Sequence, residues 1–519
     1  MLNKFFCRFL ATFFVVAVAA VPSWGDTAKK TDDQRLNVLI ITVDDMSADS
    51  VGAFGCKLAD TTPNIDRLAK GGLKFEYAHV QVGNCYPSRN VMFSGLYPHN
   101  NHVEGFYQVK NDYPVMVDFM KEAGYYVAIR GKVEHSTPYQ PYAWDCDLTI
   151  GPNGKKYHIK DVKSYRTSTE KGIREAEKAG KPFCLLINVS DPHKPFYTQI
   201  KGGDPYIPSR VFKPKEVPVP GFLPKTPKVR KELALYYSTV RRADDCVGGI
   251  LEALKESGKA DNTVIFFLSD HGMPLPWAKT QVYHHSSHTP WIIYWPGVTK
   301  PGTSNTQMIS AVDLLPTLLD VVGVKYKPDQ FDGRTFFPLI KGGKQEGRDM
   351  VFKEYNECAM GIRNPMRAIQ TRDFLYIYNP WSDGKLKMRT ATTGTAAYRE
   401  MKRLAKDDPD AAARLKLFDY RVPEECFYVR KDIDALNNLI DDPKYKKDVE
   451  QLRTALHDWM KKTGDPLLPV FEQRDNPEVR KAYMKRVQAE ADARRAKGKA
   501  GGKAGHKKVK PNKKKKNRQ

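Results

Sequence analysis

The chain is predicted to fold as an α/β protein, with a large mixed, mostly parallel sheet flanked by helices and a smaller C-terminal α+β domain. Three observations predict this. Short apolar runs alternate with helical patterns. Three of those runs end in clusters of polar residues. The texture then changes after about residue 345, where hairpin and polar-helix patterns take over.

The first 25 residues stand apart: Lys4 and Arg8 precede an apolar run from Phe9 to Val21, followed by Pro22-Ser23-Trp24-Gly25. This reads as a signal peptide cleaved near Gly25. A membrane anchor is the alternative, but the run falls short of the roughly 20 apolar residues a bilayer requires. No other segment is long and apolar enough to span, so a mature protein secreted or exported to the periplasm is expected. Folded residues are assigned as 34–345, a larger α/β domain, and 346–475, an α+β subdomain.

The first strand is Asn37-Val38-Leu39-Ile40-Ile41-Thr42-Val43, ending in Asp44-Asp45. Phe183 to Val189 is another, ending in Ser190-Asp191-Pro192-His193, and Thr263 to Leu268 a third, ending in Ser269-Asp270-His271-Gly272. Ligands of open parallel sheets bind just beyond such strand ends. Farther on, residues 367–371 and 374–378 read as a hairpin around Arg372-Asp373, and helical stretches follow at about 395–417 and 445–462. No internal repeat is evident.

The 519 residues carry a net charge of +24, but it is unevenly spread. From Lys481 onward sixteen Lys/Arg face two acids, leaving the remainder of the chain with +10. The segment 481–519 is expected to be a disordered basic tail, either a solvated extension or an arm for polyanions. Of eight cysteines, Cys7 leaves with the signal, and the other seven are scattered without a Cys-x-x-Cys pair. That spacing argues against a zinc site and a dense disulfide framework, and an odd number leaves at least one unpaired.

Singly, Asp44, Asp45 and Asp270 are ordinary helix caps or turn residues. Together, at strand ends that converge, they predict an oxygen cage for a hard cation, Ca²⁺ ahead of Mg²⁺. Cys85 lies in Asn84-Cys85-Tyr86-Pro87-Ser88-Arg89, with no neighbour spaced like a metal or redox partner. Residue chemistry leaves two readings open: a buried structural cysteine, or a thiolate activated by Arg89.

Cys85-Tyr86-Pro87-Ser88-Arg89, followed by Gly95, resembles the sulfatase signature. The second signature of that family is also matched, in Gly124-Tyr125, Gly131-Lys132 and His135, and the resemblance runs from about residue 36 to 465. It implies that a formylglycine-generating enzyme converts Cys85 to Cα-formylglycine (3-oxoalanine). Asp44, Asp45, Asp270 and His271 would hold Ca²⁺ together with residue 85. Arg89 and Lys132 would support the hydrated aldehyde, His135 would take its proton, His193 would protonate the leaving group, and Lys279 would bind sulfate oxygens. Tyr86, Ser94 and Val127 depart from the residues common at their positions. Two residues separate Lys132 from His135, as in iduronate sulfatases, and His271 likewise resembles that group.

Within the family, Asp270 to Pro276, Asn364 to Ala368, Arg372-Asp373-Phe374 and Leu436 to Pro443 resemble heparan N-sulfatase (sulfamidase). The expected function is hydrolysis of sulfate from a sulfated carbohydrate, with N-sulfoglucosamine as one substrate. The alternatives are an O-sulfatase on another polysaccharide or aryl sulfate, a phosphonate or phosphate monoesterase, and a catalytically dead polyanion-binding protein. Arg367 is a candidate substrate contact, against the alternative of an ion pair on the hairpin surface. A homodimer is compatible with this reading.

Overall fold

The computed structural model describes residues 35–198, 204–359 and 361–505. The expected signal peptide and the lysine-rich segment 506–519 lie outside the described residues. Numbered in chain order, the first seven strands are β1 (Asn37–Asp44), β2 (Leu73–Phe75), β3 (Ala78–His79), β4 (Tyr126–Arg130), β5 (Cys146–Asp147), β6 (Phe183–Pro192) and β7 (Thr263–Ser269). Then come β8 (Trp291–Tyr294), β9 (Thr303–Asn305), β10 (Ile309–Ser310), β11 (Met350–Glu357), β12 (Arg363–Thr371), β13 (Leu375–Tyr378) and β14 (Glu424–Phe427).

Eight of these form the main sheet in the order β5-β4-β6-β1-β7-β8-β2-β9. The run from β5 to β7 is parallel, while β8 is antiparallel to both its neighbours. Strand β1 sits centrally, with Ile40 opposite Leu186 on one side and Phe266 on the other. Its side chains alternate between two cores: Leu39, Ile41 and Val43 enter one, Val38 and Ile40 the other. Helices Val162–Lys178 and Pro227–Glu256 contribute to the first core, Met116–Glu122 and Leu314–Val322 to the second. Because both faces are covered, the central strands are apolar almost throughout.

Strands β11 to β14 make a separate four-stranded antiparallel sheet in sequential order. The hairpin lies where the sequence puts it, with Gln370 opposite Leu375. The single helical stretch expected over 395–417 is instead two helices, Ala396–Leu404 and Pro409–Tyr420. Asp408 caps the second by accepting from the backbone N–H groups of Asp410 and Ala411, and Pro409 occupies its first turn. The last predicted helix is present as Lys446–Thr463.

The tail requires a correction. Residues 477–505 form a helix, so the described part of the 481–519 segment is ordered. Tyr483, Val487 and Ala491 recur at four-residue spacing and are buried against the body. Gln488 accepts from the N–H of Arg363 at 3.0 Å, and the Arg494 guanidinium lies 3.9 Å from the centre of the Tyr107 ring. A narrow apolar stripe therefore suffices to dock a helix whose composition is dominated by charge. Among the described residues, no helix is long and apolar enough to cross a membrane.

Candidate active site

The C-terminal ends of β1, β6 and β7 release Asp44-Asp45, Asp191-Pro192-His193 and Asp270-His271 at one edge of the main sheet. Beyond Asp44 the chain turns: Asp45 adopts a left-handed backbone with φ of 73°, and its N–H donates to Asp270 Oδ1 at 3.0 Å. The turn brings the two adjacent carboxylates to the same region, which a continuing strand would prevent. Cys85 is the first residue of the helix Cys85–Ser94, all of whose residues are buried. Ser88, one turn on, donates its hydroxyl to the Asp270 carbonyl at 2.6 Å and fixes that helix to the end of β7.

Ligand-type atoms of Asp44, Cys85, Asp270 and His271 all lie within 4.8 Å of one another, as do those of Asp44, Asp45 and His193. Three cations are interleaved with these acids. Lys132 Nζ lies 2.6 Å from Asp44 Oδ2, Lys279 Nζ 2.7 Å from Asp45 Oδ1, and Arg89 3.0 Å from Asp270 Oδ2. The charges set one another. Burial alone would raise Asp44, but Lys132, His193 and Arg89 hold it well below the ordinary carboxylate range. Burial likewise raises the Cys85 thiol, yet Lys132 and the neighbouring His271 bring it down to about 7. Burial, then Lys132 and Arg89, press His135 down to about 3, so its imidazole is neutral.

The donor set fits a divalent cation. Asp44 Oδ1 is buried without a hydrogen-bond partner. His271 Nδ1 lies 3.0 Å from the Gly272 carbonyl, the contact that would leave Nε2 as the free nitrogen. That Nε2 makes no hydrogen bond, although Asp45 Oδ1 is 3.1 Å away. Buried groups with unfilled valence of this kind require an explanation, and hard oxygen donors plus an imidazole supply one.

Several supporting residues escaped the sequence reading. Arg89 is held by Thr42 Oγ1 at 2.7 Å and Asn188 Oδ1 at 2.6 Å. Both had a signal, since each is a lone polar residue inside an apolar strand run. The loop carrying His193 is anchored through Asp191, which pairs with Arg242 at 2.6 Å and Lys160 at 2.5 Å. Lys160 Nζ also donates to the His193 carbonyl at 2.6 Å. Nothing in the sequence around Lys160 or Arg242 marks them, because their partner lies in a distant segment.

Arg367 is not at this site. Its guanidinium is wholly buried and committed to Asp465 at 2.5 Å, Glu354 at 3.2 Å and Asn356 Oδ1 at 3.0 Å. The expected substrate contact is thereby corrected: no donor of Arg367 is left for a ligand. The expected surface ion pair is also corrected, since the pair is internal. None of the seven described cysteines is joined in a disulfide.

Buried acids, interleaved cations and a helix-opening cysteine at the carboxyl edge of a parallel sheet define a hydrolytic site in an α/β enzyme. The sequence profile of the sulfatase family matches residues 36–324, more than half of the chain. The chain belongs to the sulfatase family, hydrolases of sulfate esters and sulfamates. A second profile, the C-terminal part of N-sulphoglucosamine sulphohydrolase, matches residues 271–384.

Human N-sulphoglucosamine sulphohydrolase is 26% identical over 496 residues, covering 85% of this chain and 94% of that protein. Human iduronate 2-sulfatase is 27% identical over 449 residues, covering 68% of this chain and 81% of that one. Among solved structures, the phosphonate monoester hydrolase of Agrobacterium radiobacter superposes with a TM-score of 0.61 at 20% identity, covering 83% of this chain and 96% of that one. That likeness establishes the fold.

Proposed function

We propose that this protein removes sulfate from a sulfated carbohydrate, with residue 85 as the reacting position after its conversion to formylglycine. The observation that carries the reading is the convergence of Asp44, Asp270 and His271 on Cys85, with Asp45 and His193 grouped on the same Asp44, amid three cations. Ca²⁺ held by those four residues and residue 85 would supply Lewis acidity, and the hydrated aldehyde an oxygen nucleophile with a second hydroxyl for its own release.

The remaining work falls to the side chains of the chain. Arg89 and Lys132 neutralise charge around residue 85, and Lys279 opposes the sulfate oxygens. His135, neutral in its buried setting, accepts a proton from the reacting hydroxyl. His193, beside Asp44 and Asp45, delivers a proton to the departing sugar atom. Its Nδ1 is occupied by the Lys194 carbonyl at 2.7 Å, which leaves Nε2 as the atom to do so.

N-sulfoglucosamine is the first substrate to test, supported by the match of residues 271–384 and by the full-length likeness to the human sulphohydrolase. An O-sulfated sugar is the second, supported by the likeness to iduronate 2-sulfatase and by His271. We read the protein as secreted or periplasmic, on its N-terminal sequence.

The test is mass spectrometry of the tryptic peptide containing residue 85, from protein made in its own host, together with sulfate release from both sugars. Conversion of thiol to aldehyde lowers the mass by about 18 Da. A peptide that carries only the thiol would exclude the mechanism and leave polyanion binding as the function.

A further inference from the structure

Tyr86 stands where a small residue is common in the sulfatase signature, and the site described so far gives it no role. The aromatic ring is buried. It lies 4.9 Å from the His135 ring, tilted by 39°. Phe106 approaches the same imidazole from another direction, at 5.8 Å and nearly perpendicular, 87°. Tyr86 and Phe106 also touch each other, at 5.8 Å, so the three rings close a triangle. The backbone of His135 is pinned independently, because Asn90 Nδ2 donates to its carbonyl at 3.0 Å and to that of Tyr86 at 2.9 Å.

A histidine that moves protons ordinarily has its second ring nitrogen hydrogen-bonded, which fixes both tautomer and orientation. His135 lacks that device: Nδ1 is buried with no hydrogen-bond partner. The Tyr86 hydroxyl is also buried without a partner, so it orients nothing through a hydrogen bond.

We infer that Tyr86 and Phe106 are positioning residues that aim the His135 imidazole by packing alone, in place of the missing hydrogen bond. The inference rests on the proposed role of His135 as proton acceptor. A small residue at position 86 would open a void beside the ring and let it rotate about χ2, a torsion with a broad, soft profile. Reaction requires the acceptor nitrogen within hydrogen-bond reach of the proton it takes, so rotation would lower kcat without altering substrate binding.

The test uses full-length protein made in an aldehyde-forming host, with N-sulfoglucosamine and 4-nitrophenyl sulfate as probes. Rates are expressed per aldehyde, counted by mass spectrometry of the residue-85 peptide. Tyr86→Ser is expected to lower kcat about tenfold with KM within about twofold, whereas Tyr86→Phe keeps the wild-type kcat. Phe106→Ala, which lies outside the modified helix, should fall in the same direction and carries the test where Tyr86→Ser does not fold or is not converted.

Wild-type kcat per aldehyde in both Tyr86→Ser and Phe106→Ala would overturn the inference while leaving the sulfatase reading intact. Equal losses in Tyr86→Ser and Tyr86→Phe would also overturn it, by making the hydroxyl the working group. A wild-type protein that carries the aldehyde and releases sulfate from neither probe nor an O-sulfated sugar would overturn the parent reading, and this inference with it.

Discussion

Two clusters of buried charge in this protein have similar ingredients and opposite character. At the edge of the main sheet, Arg89 lies among Asp44 and Asp270, with Lys132, Lys279, Asp45 and His271 close by. In the C-terminal sheet, Arg367 lies between Asp465 and Glu354, and His99 Nδ1 closes the second carboxylate at 2.7 Å. In the second cluster each nitrogen of Arg367 and each oxygen of Glu354 and Asp465 has a partner. In the first, Asp44 Oδ1 and His271 Nε2 have no hydrogen bond. Burial of charge is common to both, so burial is not the mark of a site. The mark is a carboxylate oxygen left without a hydrogen bond at considerable desolvation cost, as at Asp44, whereas in the second cluster the atom without a partner is a ring nitrogen, His99 Nε2.

Breaking one member of each cluster should therefore give opposite phenotypes. Cys85→Ala is expected to abolish sulfate release, a loss on the order of 10⁴-fold, with little change in the Tm measured in chelator, because the side chain at position 85 ties down no structural partner in the metal-free protein. Steady-state rates and a thermal melt on the same preparation check both halves. Arg367→Ala should do the reverse. It strands two buried carboxylates and is expected to cost about 3–5 kcal/mol of stability, read by denaturant unfolding. Activity per folded molecule should hold. If Arg367→Ala instead abolished turnover at unchanged stability, the assignment of that cluster to structure would be wrong.

Metal removal sharpens the contrast further. An ion that binds only the folded state stabilises it by about 2.7 kcal/mol at a hundredfold excess over Kd. Treatment with a chelator should lower Tm, and added Ca²⁺ should restore it. Asp45→Asn is expected to blunt that response, whereas Arg367→Ala should melt lower but keep the full calcium increment. A calcium increment of the same size in Asp45→Asn would place the ion elsewhere.

How far such a difference could be read in advance depends on the kind of interaction. Strands β1, β6 and β7 were legible because strands covered on both faces are apolar throughout, and their ends announce themselves where Asp44, Asp191 and Asp270 begin. The cradle of Arg89 was half-written: Thr42 and Asn188 interrupt apolar runs, yet what they bond depends on register between strands 146 residues apart. Arg367 misled for a related reason. Its place in a hairpin was readable, but the partner that buries it, Asp465, arrives from 98 residues away. The terminal helix was hidden by composition, since three small or aromatic contacts, Tyr483, Val487 and Ala491, had to be picked out among lysines and arginines. The split at Pro409 was local and could have been read from Asp408-Pro409 alone.

The smallest expected effect concerns the seam where strand β3 and the helix His284–Ser287 face the C-terminal sheet. His79, His284 and His288 cluster there with ring centres 4.7 to 5.5 Å apart, and Lys353 and Gln370 face them from β11 and β12. Burial above all, then the neighbouring imidazoles and Lys353, holds His79 and His284 well below the ordinary imidazole value; burial lowers His288 as well. Their unfolded value is about 6.5, so the unfolded chain binds more protons than the native one below that pH. Their stability contribution is complete above about pH 6.5 and is lost as pH falls beneath it. His285 behaves in the opposite sense. Burial would lower it, but Asp434 and Asp49 raise it to about 9, so its contribution is complete below about 6.5 and fades as pH rises through 9. Unfolding free energies measured at about pH 5, 7 and 9.5 should therefore peak at the middle value. His284→Gln is expected to make the acid limb shallower, and His285→Gln the alkaline limb. An acid limb that persists unchanged in His284→Gln would assign it to the carboxylates of the two charged clusters, and the seam would then be electrostatically silent.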